Sequence, residues 1–227
     1  MRRRDVLLAG MVLSARPVWG QTATGNPHVR METGQGMIML ELFADKAPIT
    51  AANFLRYIDA KRYDGATFYR ALKTPGDPTT GLVQGGARFE PNHPIPPIAH
   101  EPTTQTGILH KDGTISLARR EPGTATSDFF ICVGDASYLD ADPSAPGDNL
   151  GFAAFGHVTD GMDVARKILA LPLSPTKGAP DMIGQMLDSP VPIISAHRFQ
   201  GETRGVLASV SAGDISTRAV EGESNAG

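Results

Sequence analysis

His28-Val29-Arg30-Met31-Glu32-Thr33 runs into Gly34-Gln35-Gly36 and then into Met37-Ile38-Met39-Leu40-Glu41-Leu42-Phe43. Two such runs joined by a short glycine-bearing turn predict an antiparallel hairpin. In the second run Ile38, Leu40 and Leu42 share one face, the alternation of a strand with one buried side. The period then changes. Beyond Pro48 the apolar residues Ala51, Phe54, Leu55 and Ile58 recur at i, i+3, i+4 and i+7, which predicts an amphipathic helix. Pro48 suits the first turn, where its missing N–H has no partner to lose.

Strand signals return at Ala66–Leu72, Gly113–Ala118, Phe129–Val133, Phe152–Val158 and Ile193–His197. A second helix is expected over Gly161–Leu171, with Met162, Ala165 and Leu169 inward, Asp160 as its cap and Pro172 ending it. Lys73–Gly81 and Ala141–Gly151 read as loops rich in turn formers. Many strands and two separated helices predict a mainly β fold, an antiparallel barrel or sandwich capped by helices. No internal repeat interrupts that pattern.

The 227 residues are 41% hydrophobic and 20% charged, enough for one domain with a sizeable core and terminal extensions. Arg2-Arg3-Arg4 followed by the apolar Val6–Ala15 reads as an export signal over 1–20. The stretch is too short to span a bilayer, and Val18-Trp19-Gly20 is a small-residue cleavage site. The paired arginines resemble a twin-arginine signal. Removal of 1–20 takes four arginines and one aspartate from 21 basic and 24 acidic residues, leaving 17 against 23 and a net charge of −6. An acidic protein without a basic run is a poor nucleic-acid binder. No later stretch is apolar for long enough to cross a membrane. Residues 21–27 read as a linker, and 199–227, rich in Gly, Ser, Ala and Glu, as a disordered tail. A periplasmic or secreted location is the expectation.

Cys132 is the only cysteine, within the apolar Phe129–Val133, so it reads as a buried structural thiol. The six histidines (28, 94, 100, 110, 157, 197) hold no i,i+4 pair, so no metal site is expected, and no segment suggests a cofactor. Aromatic residues make up only 6%, which argues against a sugar- or lipid-binding barrel. Arg70 stands out. It ends the apolar-aromatic run Thr67-Phe68-Tyr69-Arg70, where a cation is costly to bury without a purpose. No neighbouring motif offers a nucleophile, a metal cage or a phosphate cradle. The chemistry suggested is one that needs a single fixed positive hydrogen-bond donor.

Taken in order, several segments resemble the cyclophilins, the peptidyl-prolyl cis-trans isomerases, and most of all their bacterial periplasmic branch. They are Glu41–Pro48, Asn53-Phe54, Phe68-Tyr69-Arg70, Gln84-Gly85-Gly86, Ser127–Ile131, Tyr138-Leu139-Asp140 and Phe155–Val158. The resemblance covers about residues 28–198. It implies a closed antiparallel eight-stranded barrel capped by two α-helices. It also implies an activity: rotation about Xaa-Pro bonds of polypeptides, with Arg70 donating to the twisted prolyl nitrogen and Gln84 holding that arginine. Leu82, Phe130, Leu139 and Phe152 would wall the proline pocket. Ala118 and Arg119 would pair with extended substrate, and Asp128 and Tyr138 would border the groove. A monomer acting on proline-containing polypeptides is expected.

The sequence also departs from the family pattern. Gly81 stands where the family has a pocket phenylalanine, and the loop 73–81 is longer than usual. Asp128 replaces a glutamine, bringing a carboxylate to the groove and near Arg70. Tyr138 replaces a tryptophan, and Phe152 a histidine or tyrosine, so weak cyclosporin binding is expected. These departures leave a second reading open, a cyclophilin-fold chaperone or peptide-binding module with little or no activity.

Overall fold

The computed structural model describes residues 25–87 and 95–199. The export signal, its cleavage site and the tail from 200 onward lie outside the described residues. Eight strands form one closed antiparallel barrel: β1 (His28–Thr33), β2 (Gly36–Leu42), β3 (Thr67–Thr74), β4 (Asp77–Gly86), β5 (Thr114–Leu117), β6 (Phe129–Val133), β7 (Ala153–Asp160) and β8 (Met186–Phe199). Around the barrel the order is β1-β2-β7-β5-β6-β4-β3-β8, with β8 returning to β1. The helices are α1 (Pro48–Asp59), the single turn α2 (Thr103–Thr106) and α3 (Met162–Ala170).

The opening hairpin forms as expected, with one adjustment. Thr33 pairs with Gly36, so the turn is the two residues Gly34-Gln35 and Gly36 already belongs to β2. Thr33 stabilises that turn, its hydroxyl donating to the Gly36 carbonyl at 2.7 Å and accepting from the Gln35 amide at 3.1 Å. Ile38, Leu40 and Leu42 are fully buried. They join one core cluster with the inward faces of both longer helices, Ala51, Phe54, Leu55 and Ile58 from α1 and Val164, Ala165, Ile168 and Leu169 from α3. α1 packs against β7 and β8, α3 against β2, β3, β4 and β6.

Three expectations need correction. Lys73–Gly81 is not a loop. β3 continues to Thr74, β4 starts at Asp77, and Thr74 pairs with Asp77 and Lys73 with Gly81. This hairpin supplies the barrel's eighth strand, which the seven strand signals in the sequence did not include. α3 has no side-chain cap from Asp160; Gly161 occupies the N-cap in the left-handed region (φ +90°), and Asp160 instead accepts from the Gly161 amide at 2.9 Å. Its buried face runs through Val164 and Ile168, with Met162 half-buried at the edge. The last strand extends from Met186 to Phe199, well beyond Ile193–His197.

Candidate active site

The groove lies on the outer face of the β5-β6-β4-β3 half of the barrel, and β6 shows how it is built. All five residues of β6 are buried, yet they serve two cores in alternation. Phe129, Ile131 and Val133 point into the barrel cluster, whereas Phe130 and Cys132 join a second cluster with Leu82, Ala136 and Leu139. Leu72, Ala118 and Phe152 pack on that outer cluster. A strand buried on both faces reads as a continuous apolar run, as Phe-Phe-Ile-Cys-Val does. Burial pushes the Cys132 thiol up to about 12, so it is a structural thiol, as its setting implied.

β3 shows how a cation comes to the same face. Phe68 pairs with Gly85 and Arg70 with Gln84, so Tyr69 is an extra residue, a bulge against β4. The pairing of β3 with β8 shifts at the same place. Strict alternation would send Arg70 to the side of Phe68, into the barrel. With the bulge, Phe68 and Ala71 face the barrel core while Tyr69, Arg70 and Leu72 all line the outer groove. A bulge re-aims a side chain at the cost of one ladder pairing, and here it keeps a guanidinium out of the hydrophobic interior.

The groove encloses about 460 Å³. It brings together Arg70, Gln84, Leu82 and Phe130 with Leu139 and Phe152, and Ala118, Arg119 and Asp128 complete the set that the sequence placed there. Tyr138 is the exception among the expected residues. It sits on a 3-10 turn (Ser137–Leu139), is 65% exposed and is not among the lining residues. Phe130 meets Phe152 edge-on at 5.4 Å between ring centroids and lies parallel to His110, 5.9 Å away on its other side. His110 is fully buried; its Nδ1 lies 2.7 Å from the Asp140 carboxylate and its Nε2 3.0 Å from the Ser116 hydroxyl. A carboxylate can only accept, so Nδ1 carries the hydrogen and Nε2 accepts from Ser116. Burial holds the His110 pKa below the usual imidazole value, against the opposing pull of Asp140.

The polar end of the groove is a directed chain. The Asp128 carboxylate accepts from the Tyr69 hydroxyl at 2.8 Å, and that oxygen accepts from the Gln84 amide nitrogen at 2.8 Å. The Gln84 oxygen then accepts from Arg70 Nη1 at 2.9 Å. The carboxylate expected near Arg70 is linked to it by this relay of two intervening side chains, which polarises the Gln84 oxygen. Tyr69, Leu72, Arg120, Thr124, Thr126 and Met182 also line the cavity, and none was singled out from the sequence. The bulge that turns Arg70 outward also turns Leu72 to the groove, and bulges leave no mark in composition. The absence of the family's phenylalanine at Gly81 has a local cause. A Cβ there would lie 2.0 Å from the Leu72 carbonyl oxygen, and φ is +146°, so the hairpin geometry excludes any side chain.

Comparison with known proteins decides the family. The model of the cyclophilin type peptidyl-prolyl cis-trans isomerase/CLD family matches residues 28–197. The chain belongs to that family. A peptidyl-prolyl cis-trans isomerase of Acinetobacter baylyi is 36% identical over 179 residues, covering 77% of this chain and 85% of the relative. Peptidyl-prolyl cis-trans isomerase B of Escherichia coli is 35% identical over 148 residues, 62% of this chain and 82% of its own. Among solved structures, a cyclophilin of Cryptosporidium parvum aligns with a TM-score of 0.61 at 19% identity, over 77% of this chain and 98% of that one. The same protein solved in the presence of the dipeptide Ala-Pro aligns at 0.59. This cyclophilin is thus a peptidyl-prolyl isomerase with the family's barrel. No helix among the described residues is long and apolar enough to cross a membrane.

Proposed function

We propose that this cyclophilin accelerates rotation about Xaa-Pro bonds in folding or flexible polypeptides of the cell envelope or exterior, with Arg70 as its catalytic donor. Rotation breaks amide resonance and meets a barrier of about 18–20 kcal/mol. In the twisted state the prolyl nitrogen regains a lone pair and becomes an acceptor. A guanidinium already aimed at that position binds the twisted state better than either planar one, which lowers the barrier without proton transfer or a covalent intermediate. The observation that carries this reading is the placement of Arg70, turned by the β3 bulge onto the groove face and bonded at 2.9 Å to Gln84 beside the apolar floor of Phe130, Leu82 and Leu139.

Substrate binding follows from the same surface. The prolyl ring fits against Phe130 and Phe152, and the extended chain runs along Ala118 and Arg119. The Ala118 amide already donates to the Asp128 carbonyl at 2.8 Å, so its contribution to a substrate is its carbonyl. The reading of an exported protein is supported by Arg2-Arg3-Arg4, the apolar Val6–Ala15 and the site at Gly20. A monomer and weak cyclosporin binding belong to the same proposal. The test is isomerisation of an Ala-Pro peptide by the wild type and by Arg70→Ala. Loss of a preorganised donor is expected to cost about 10²–10³ in rate. A wild type no faster than buffer would remove the enzymatic reading, and equal rates for the two proteins would remove the role of Arg70.

A further inference from the structure

Arg70 is gripped on a second edge by a residue outside every family-like segment of the sequence. Gln185 Oε1 accepts from Arg70 Nε at 2.9 Å and also from Nη2. Three N–H groups of the guanidinium thus go to two amide oxygens, Gln84 at one corner and Gln185 along the opposite edge. We propose that Gln185 is a positioning residue for catalysis, setting the plane and direction of the Arg70 guanidinium toward the prolyl nitrogen. The proposal rests on the donor role of Arg70 given above.

The geometry supports a positioning role in three ways. The orientation of the amide is determined, because a guanidinium has donors only and must meet the oxygen, while Gln185 Nε2 donates to the Asp181 carbonyl at 3.0 Å. The residue is also fixed along its backbone. Its N–H donates to the Met182 carbonyl at 3.0 Å, and its carbonyl accepts from the Ala71 amide, next to Arg70, at 2.9 Å. Gln185 precedes β8 at the place where Arg70 pairs with Met186 across the bulge, so the grip and the bulge form one local unit. Finally, the acceptor is neutral. A planar group bonded at one corner can still swing about that contact; bonded along a second edge it cannot. Two amide oxygens therefore fix the cation without cancelling its charge, and the donor needs no reorganisation when the peptide twists.

The test compares Gln185→Met, which keeps the length and removes the acceptor, with Gln185→Glu, which keeps an acceptor. Steady-state isomerisation is combined with the NMR signal of Arg70 Nε–H, assigned by its loss in Arg70→Lys. The Met variant is expected to lose about tenfold in kcat with KM within about twofold, since the interaction matters in the twisted state. Its Nε–H should also exchange faster with solvent. Gln185→Glu should keep the protected Nε–H and recover part of the lost kcat. If Gln185→Met fails to fold, Gln185→Asn, which withdraws the oxygen by one methylene, is measured the same way. Wild-type kcat with a protected Nε–H in the Met or Asn variant would overturn the proposal, as would a loss confined to KM. An inactive wild type would instead strike the function proposed above, and the Nε–H signal would then decide the grip of Gln185 alone.

Discussion

Phe129 and Phe130 are adjacent, chemically identical and almost equally buried, at 0% and 3% exposure, yet they belong to different parts of the molecule. Phe129 points into the barrel and is met edge-on by Phe54, Tyr63 and Phe68 at 5.4–5.5 Å. Phe130 points outward and forms the groove floor between His110 and Phe152. Burial alone does not separate barrel core from groove here; the face of the strand does. Substituting each in turn is the sharpest way to break the comparison. Phe129→Ala is expected to lose about 3–5 kcal/mol of stability, the size of an aromatic deletion in a closed core, read as a lowered denaturant midpoint. Phe130→Ala should lose less stability, because groove solvent can fill part of the space. It should instead cost roughly ten- to hundredfold in kcat/KM. Equal stability losses with unchanged activity for Phe130→Ala would mean that the outer cluster is merely a second core.

The inner face was legible in the sequence and much of the outer one was not, for a physical reason. Alternation at Ile38, Leu40 and Leu42 and the helical spacing of Ala51, Phe54, Leu55 and Ile58 are local consequences of burial, so the periodic segments of the barrel could be placed. Asp77-Pro78-Thr79-Thr80-Gly81 is polar or exposed over most of its length and contains a proline. It is a strand only because β3 and β6 pair with it, and that pairing is not local. The bulge at Tyr69 is likewise invisible to composition, though it decides which face Arg70 takes. Arg70 stood out as a cation ending an apolar run, whereas Gln84, Phe130 and Asp128 were found through their resemblance to a family. Gln185 lies in none of those segments and becomes visible only when β8 closes the barrel beside β3.

The two faces should also differ in their response to pH. The inner cluster holds apolar side chains with Tyr57 and Tyr63, whose phenols burial pushes above their ordinary value, so neither titrates near neutrality. Behind the groove floor lies His110, whose folded pKa is held below the unfolded value of about 6.5. In that case the unfolded chain takes up the proton first, and the stability from neutral His110 is fully present above about pH 6.5. It is lost as pH falls through the folded value. Thermal midpoints measured between pH 7.5 and 5 should therefore fall more steeply for the wild type than for His110→Gln, which keeps hydrogen-bonding capacity and does not titrate. Parallel curves would show that the layer of Asp140, His110 and Ser116 does not couple to pH in this range.

The smallest effect is expected at the open rim of the groove, where Arg119 ties the loop between Asp140 and Phe152 to the end of β5. Its guanidinium takes both oxygens of Asp148 at 2.8 Å, donates through Nε to the Gly151 carbonyl at 2.8 Å and lies 5.3 Å from the centre of the Phe152 ring. The Arg119 side chain is only 5% exposed, whereas Asp148 is open to solvent at 36%. The hydrogen bonds from Arg119 hold the Asp148 carboxyl down at about 2, so the pair stays charged through the ordinary pH range. Because one partner is solvated, the pair adds little to folding, and its effect lies in where the loop and Phe152 sit. Asp148→Ala should leave kcat and the thermal midpoint near wild type and raise KM for a proline peptide about two- to threefold. The same shift should appear in the wild type as salt is raised, and be absent from the variant, since screening weakens an exposed pair. A variant whose kcat falls with KM unchanged would mean that Arg119 acts on the reacting bond and that the rim, like Phe130, belongs to the catalytic face.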